Sequence, residues 1–234
     1  MKKLGYLWHR RLTLIGFLFF YILCGSLLTA LEVTEGLMKI VLHKDFGRFS
    51  IYYLSDIEKH TYKSLLVDND PRTTVLSLVI DNRVYRLGET LAFEELVEKT
   101  AKGARFVWTS KTLKIIEDFT FISSESNKLS DGIMITLQIE NISTRTISVG
   151  ARYIFDTYLG EKSDIHFFTD KDSEIENELT CSSSSIFNYW VSPSEEEEKL
   201  KGLQVMTNGN GVTTPDLVVF TNWKRLNDAT WTYN

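Results

Sequence analysis

Proline, cysteine and histidine are all scarce in this chain: three, two and four residues among 234. Three prolines leave no Pro-rich linker that would divide it, and no internal repeat or low-complexity tract does so. The cysteines, Cys24 and Cys181, form no CxxC pair, and the scattered histidines form no HExxH motif, so the usual zinc spacings are absent. No GxSxG elbow marks a serine nucleophile, and Ser182 to Ser185 reads as a loop. The "NGNG" stretch at Asn208–Gly211 lacks the lysine and the following helix of a phosphate loop. Basic residues do not cluster beyond the first eleven positions, which argues against nucleic acid as a partner. With 43% apolar and 24% charged residues the chain is not a disordered one.

What the chain does have begins at its start. "MKKLGYLWHRR" carries Lys2, Lys3, Arg10 and Arg11 and no acid; Leu12 to Ala30 is then uncharged and apolar. A basic stretch, an apolar stretch and a small residue at its end predict a secretory signal over residues 1–30, cleaved after Ala30. Leu28 departs from the small residue preferred at that place. The alternative is an uncleaved anchor, because the run is just long enough to cross a bilayer, and its flanking positive charge would keep the N-terminus cytoplasmic. Lipidation at Cys24 is disfavoured by the bulky Leu23 before it. Loss of residues 1–30 removes four basic residues and no acid, which takes the net charge from −5 to −9. It leaves Cys181 alone, so an exported domain at 31–234 would have no internal disulfide and would depend on its core.

From Leu37 onward the apolar pattern has period two. "MKIVLHKDFGRFSIYYL" gives two runs around a turn, and "TVLSLVIDNRVYRL" two runs around Asp81-Asn82, which is hairpin chemistry. "RFVWTSKTLKIIEDFTFI" is another pair. Ile133, Ile135, Leu137 and Ile139 alternate strictly, as do Ile147, Val149, Ala151, Tyr153 and Phe155. Two further strands flank the Gly/Asn-rich loop of "GLQVMTNGNGVTTPDLVVF". This succession predicts an all-β fold, a single antiparallel β-sandwich. "ETLAFEELVEKTAKGARF" fits either a short helix or an edge strand. "SPSEEEEKLKG" carries a capping-box pattern, Ser194 with Glu197, and predicts a short exposed helix or a charged loop. "VVFTNWKRLNDATWTYN" reads as an aromatic, strand-like run.

The chemistry-bearing stretch is "ARYIFDTYLGEKSDIHFF". A strand from Ala151 to Leu159 would put Asp156 near its end, with Glu161, Asp164 and His166 on the exit loop. These four are the candidates for a ligand or ion. No cofactor is expected; loop carboxylates can bind Ca²⁺, although the DxDxDG pattern is absent. Asp156 is expected to tie the turn through backbone N–H groups. No residue is assigned as catalytic. Trp190, Trp223 and Trp231, with polar neighbours, are the aromatic candidates for stacking on sugar or anchoring a protein.

The segments "IENISTRTISVGARYIFDTYLGEKSDIHF", "DPRTTVLSLVIDNRVYRL" and "NWKRLNDATW" resemble those of exported bacterial β-sandwich proteins of the spirochaete type, a group of unassigned function. The resemblance covers most of residues 31–234. It implies a supersandwich-like fold of the kind shared with sugar-active proteins, and a place in the periplasm or on the periplasmic face of the inner membrane. It brings no catalytic residues, and it implies a chain continuing past Asn234. The resulting expectation is a non-enzymatic binding or assembly component of the envelope, with an envelope protein or a glycan as partner. The inner membrane itself joins that list if the N-terminal helix stays uncleaved. The alternative is a carbohydrate-active enzyme or glycan-binding module on the same fold.

Overall fold

A computed structural model describes residues 30–124, 128–157, 159, 166–171, 174–194 and 202–232. The signal or anchor segment up to residue 29, the acidic "EEEEKLK" stretch, Glu161 and Asp164 lie outside the described residues. Among the described residues no helix is long and apolar enough to cross a membrane.

The described chain is mostly antiparallel β-sheet. The first sheet is a meander of β1 (Ala30–Glu35), β2 (Met38–His43), β3 (Arg48–Asp56) and β4 (Thr61–Ser64). A 3₁₀ turn (Pro71–Thr73) leads to β5 (Val75–Ile80) and β6 (Arg83–Arg86). These two form a tight hairpin in which Ile80 pairs with Arg83. Asp81 and Asn82 between them have φ of 46° and 66°, the positive values a two-residue hairpin turn requires and that Asn and Asp tolerate. The next four strands, β7 (Glu94–Thr100), β8 (Gly103–Thr109), β9 (Leu113–Ile122) and β10 (Gly132–Asn141), form a sheet in the order β10-β9-β8-β7. β11 (Val149–Ile154) returns to pair with β5.

The stretch around residues 94–100 is therefore an edge strand and not a helix. Glu94 to Val97 alternate between exposed and half-buried, and the segment pairs with β8 along its whole length, from Glu94 with Thr109 to Thr100 with Gly103.

These sheets share one large core. Ile40, Leu42, Phe49 and Ile51 of the first sheet belong to the same buried cluster as Phe106, Trp108, Ile115 and Phe119 of the β7–β10 sheet, with Leu76 and Leu78 from β5. Each fully buried Leu, Ile or Phe contributes about 1.5–3 kcal/mol. Hydrogen bonds close the seam at one edge. The Leu37 N–H donates to the Ser130 carbonyl at 2.7 Å, and the Ser130 hydroxyl donates to Glu35 Oε1 at 2.8 Å.

The C-terminal part is built from shorter pieces: β12 (Phe168–Thr169), β14 (Tyr189–Pro193) and β15 (Gly202–Met206) in one sheet, β13 (Leu179–Ser182) and β16 (Leu217–Phe220) in another. They enclose a second, smaller core of Ile175, Cys181, Phe187, Trp190 and Phe220. Ser192 donates to the Leu159 carbonyl at 3.0 Å, which links β14 to a residue of the larger core.

Two expectations are corrected. β11 stops at Ile154 rather than running to Leu159, because Ile154 pairs with Val75 and the partner strand begins there. The run after β16 is not a strand: Trp223–Asp228 is a short helix, α1. Asn222 caps it, its side chain accepting from the N–H groups of Lys224 and Arg225.

Candidate functional site

Of the four ligand or ion candidates, Asp156 and His166 are among the described residues. Asp156 is half-buried, and its backbone fixes it: its N–H donates to Thr74 Oγ1 at 3.3 Å and its carbonyl accepts from the Val67 N–H at 2.9 Å. His166 sits with its ring 6.2 Å from that of Phe167, which packs on Trp190 and Phe220 at the border of the smaller core. Among the described residues no three or more His, Cys, Asp or Glu side chains gather as a metal site.

The tryptophans fasten the fold. Trp190 is only 7% exposed, because the alternation of β14 turns it and Ser192 inward; it is a core residue and not a surface one. The Trp223 indole N–H donates to the Thr73 carbonyl at 2.8 Å and holds α1 against the 3₁₀ turn. Trp231 lies 5.5 Å from the Arg152 guanidinium, which also donates to the Trp231 carbonyl at 2.8 Å. Gly150 leaves the room this ring occupies, since a Cβ there would sit 3.3 Å from it.

An open groove of about 640 Å³ lies elsewhere, where the β5–β6 hairpin, the segment before β7, the β8–β9 turn and the loop before β11 meet. Ile80 and Phe93, both nearly buried, form its base, and Leu91 is fully exposed at its rim. Tyr85 packs edge-on against Phe93 with ring centres 6.0 Å apart. Its loops are internally braced. The Ser110 hydroxyl accepts from the N–H groups of Thr112 and Leu113, and the Asn141 side chain donates to the Arg145 carbonyl at 2.8 Å. Arg145 pairs with Asp81 at 2.5 Å, and the Ser148 N–H donates to the same carboxylate at 3.0 Å. Arg145, and then that backbone bond, hold the Asp81 carboxyl below its ordinary range. Arg83 and Lys111 also line the groove; both are exposed, and neither makes an ion pair among the described residues.

A second polar cluster is sealed inside the large core. In β9 the inward row is Leu113, Ile115, Glu117, Phe119 and Phe121, so the pleat carries a carboxyl into an apolar layer. Glu117 is 2% exposed and accepts from the Tyr153 hydroxyl at 3.0 Å. Burial pushes it up to about 8, against the opposing pull of Tyr153 and Arg48, while Glu95 raises it further. Burial also raises Glu95 to about 7, partly offset by Lys44 and Arg48. Tyr153 is pushed well up by burial and by Glu117. Arg48, 1% exposed, is anchored by the carbonyls of Phe46, Gly47 and Leu87 and donates to Glu89 Oε1 at 2.7 Å. Glu117 is thus closed off from solvent, with the Tyr153 hydroxyl as its hydrogen-bond donor. Sequence reading passed over both features. The signal for Glu117 was present, as a lone acid in phase with an apolar row of period two. The groove had none, because it joins Arg83, Lys111 and Arg145 from three distant segments.

No protein-family model, no curated protein and no solved structure matches this chain.

Proposed function

We propose that the protein is an exported, non-enzymatic binding or assembly component of the cell envelope, held in the periplasm or on the periplasmic face of the inner membrane. Its framework is read as a supersandwich-like β-sandwich, because inward rows of two antiparallel sheets share the larger core. The observation that carries the binding reading is the groove at the β5–β6 hairpin, concave and of a size usual for ligand sites. Arg83 and Lys111 line it together with the apolar Ile80, Leu91 and Phe93. A catalytic reading has less support: the strongly perturbed acid, Glu117, is enclosed.

Cell fractionation and affinity capture test this together. The tagged full chain is expected in the envelope or periplasmic fraction. A double variant, Arg83→Glu with Lys111→Glu, is expected to reach the same fraction and to lose the bound component that the wild type retains. A chain confined to the cytoplasm, or a bound component indifferent to both substitutions, would sink the proposal.

The glycan-binding reading is favoured by one observation of its own, the exposed polar groups beside the Tyr85 ring in that groove.

A further inference from the structure

We infer that the groove takes an acidic saccharide, a pyranose ring bearing a carboxylate. This rests on the reading of the groove as the binding site and adds the chemistry of its occupant. Four groups lining it have no hydrogen-bond or ionic partner among the described residues: the Arg83 guanidinium, the Lys111 ammonium, and the hydroxyls of Tyr85 and Thr112. Arg145, which also lines the groove, differs, since Asp81 already neutralises it.

The composition of that set selects the ligand. A guanidinium presents paired donors that match a carboxylate, and an ammonium adds a second positive charge. The two hydroxyls donate and accept, which suits the hydroxyls of a sugar ring. The Tyr85 ring, packed edge-on against Phe93 at 6.0 Å, offers an apolar surface to the C–H face of a pyranose. A neutral sugar would leave both cations unused. A peptide strand would need backbone partners, whereas the β8–β9 turn spends its own: the Ser110 N–H donates to the Leu113 carbonyl at 2.9 Å and the Thr112 carbonyl accepts from Ile142 at 3.0 Å. The protein as a whole is acidic, with net charge −5, so attraction for an anion is local to these side chains. Binding is therefore salt-sensitive and modest in affinity.

The test is titration of the full chain with trigalacturonic acid, followed by calorimetry and by amide NMR shifts. Maltotriose, as a neutral trisaccharide, and a short Asp- and Phe-containing peptide run in parallel. The acidic trisaccharide is expected to bind at least tenfold more tightly than the neutral one and to shift amides at 80–85 and 110–112. Arg83→Ala and Lys111→Ala are each expected to weaken it about tenfold without changing the melting temperature, and 0.5 M NaCl to weaken it further. Equal binding of both trisaccharides, or binding untouched by Arg83→Ala, overturns the acidic-sugar assignment and leaves the groove as a binding site. Preference for the peptide at the same amides overturns it in favour of a protein partner. If neither the sugars, the peptide nor an envelope extract shifts any groove amide, both the assignment and the groove reading fall.

Discussion

Glu117 binds its proton up to about pH 8 in the folded protein, against an ordinary 4.5 for a free carboxyl. Between those values the native state holds a proton that the unfolded chain has released. The stability Glu117 contributes is thus full below about pH 4.5 and is lost as pH rises through 8. Glu117→Gln keeps an acceptor for Tyr153 and removes the titration. The variant should gain on the order of 4–5 kcal/mol relative to wild type above pH 8 and little at pH 5. Urea midpoints at the two pH values check this; equal differences at both would exclude Glu117 as the source. Gly88 is the opposite case, a residue with no substitute. Its φ is 82°, and a Cβ would overlap the Phe46 carbonyl oxygen, which Arg48 also uses. Gly88→Ala is expected to cost about 2–4 kcal/mol in chemical denaturation. The sequence displays Gly88 only as one glycine among thirteen, because the constraint comes from the hairpin turn at Phe46–Gly47 pressed against it.

At the scale of elements, the hairpins were legible wherever period two ended in turn chemistry. β2–β3 around "HKDFG" and β5–β6 around Asp81-Asn82 follow that rule, and β8–β9 lies where the pattern put it. Pattern failed where a partner decided the outcome. β11 could have continued through Phe155 on its own alternation, but β5 offers nothing beyond Val75 to pair with. The aromatics of α1 suit a strand, while the local instruction is Asn222, a capping residue two positions from the end of β16. That cap gives a prediction. Asn222→Ala should lower stability by about 1 kcal/mol and loosen Trp223 from Thr73. A red shift in tryptophan emission at unchanged sheet circular dichroism is the expected signature; loss of sheet signal would mean α1 does more than brace the hairpin side.

The described residues form two cores of unequal size, twenty-one buried apolar residues in one cluster and five in the other. Apolar burial scales with that inventory, so the smaller core should open first. Cys181 reports on it, being buried there with its thiol free. In a Cys24→Ser background, Cys181 should react with a thiol reagent at urea concentrations below the global transition, while the signal of the larger core persists. Labelling that tracks global unfolding alone would mean Ser192 and Leu203, which touch both regions, weld them into one cooperative unit.

The buried Glu117 of β9 and the half-buried Glu95 of β7 have a calorimetric consequence. Near pH 6.5 Glu117 takes up roughly one proton on folding and Glu95 a further fraction, while His43, held below its ordinary value by burial, gives part of one back. Refolding in weakly buffered water would therefore turn the solution more alkaline. The heat of folding would also differ between phosphate and an amine buffer by the ionisation heat of those protons. Chain collapse in this protein is, in part, an act of acid uptake from its surroundings.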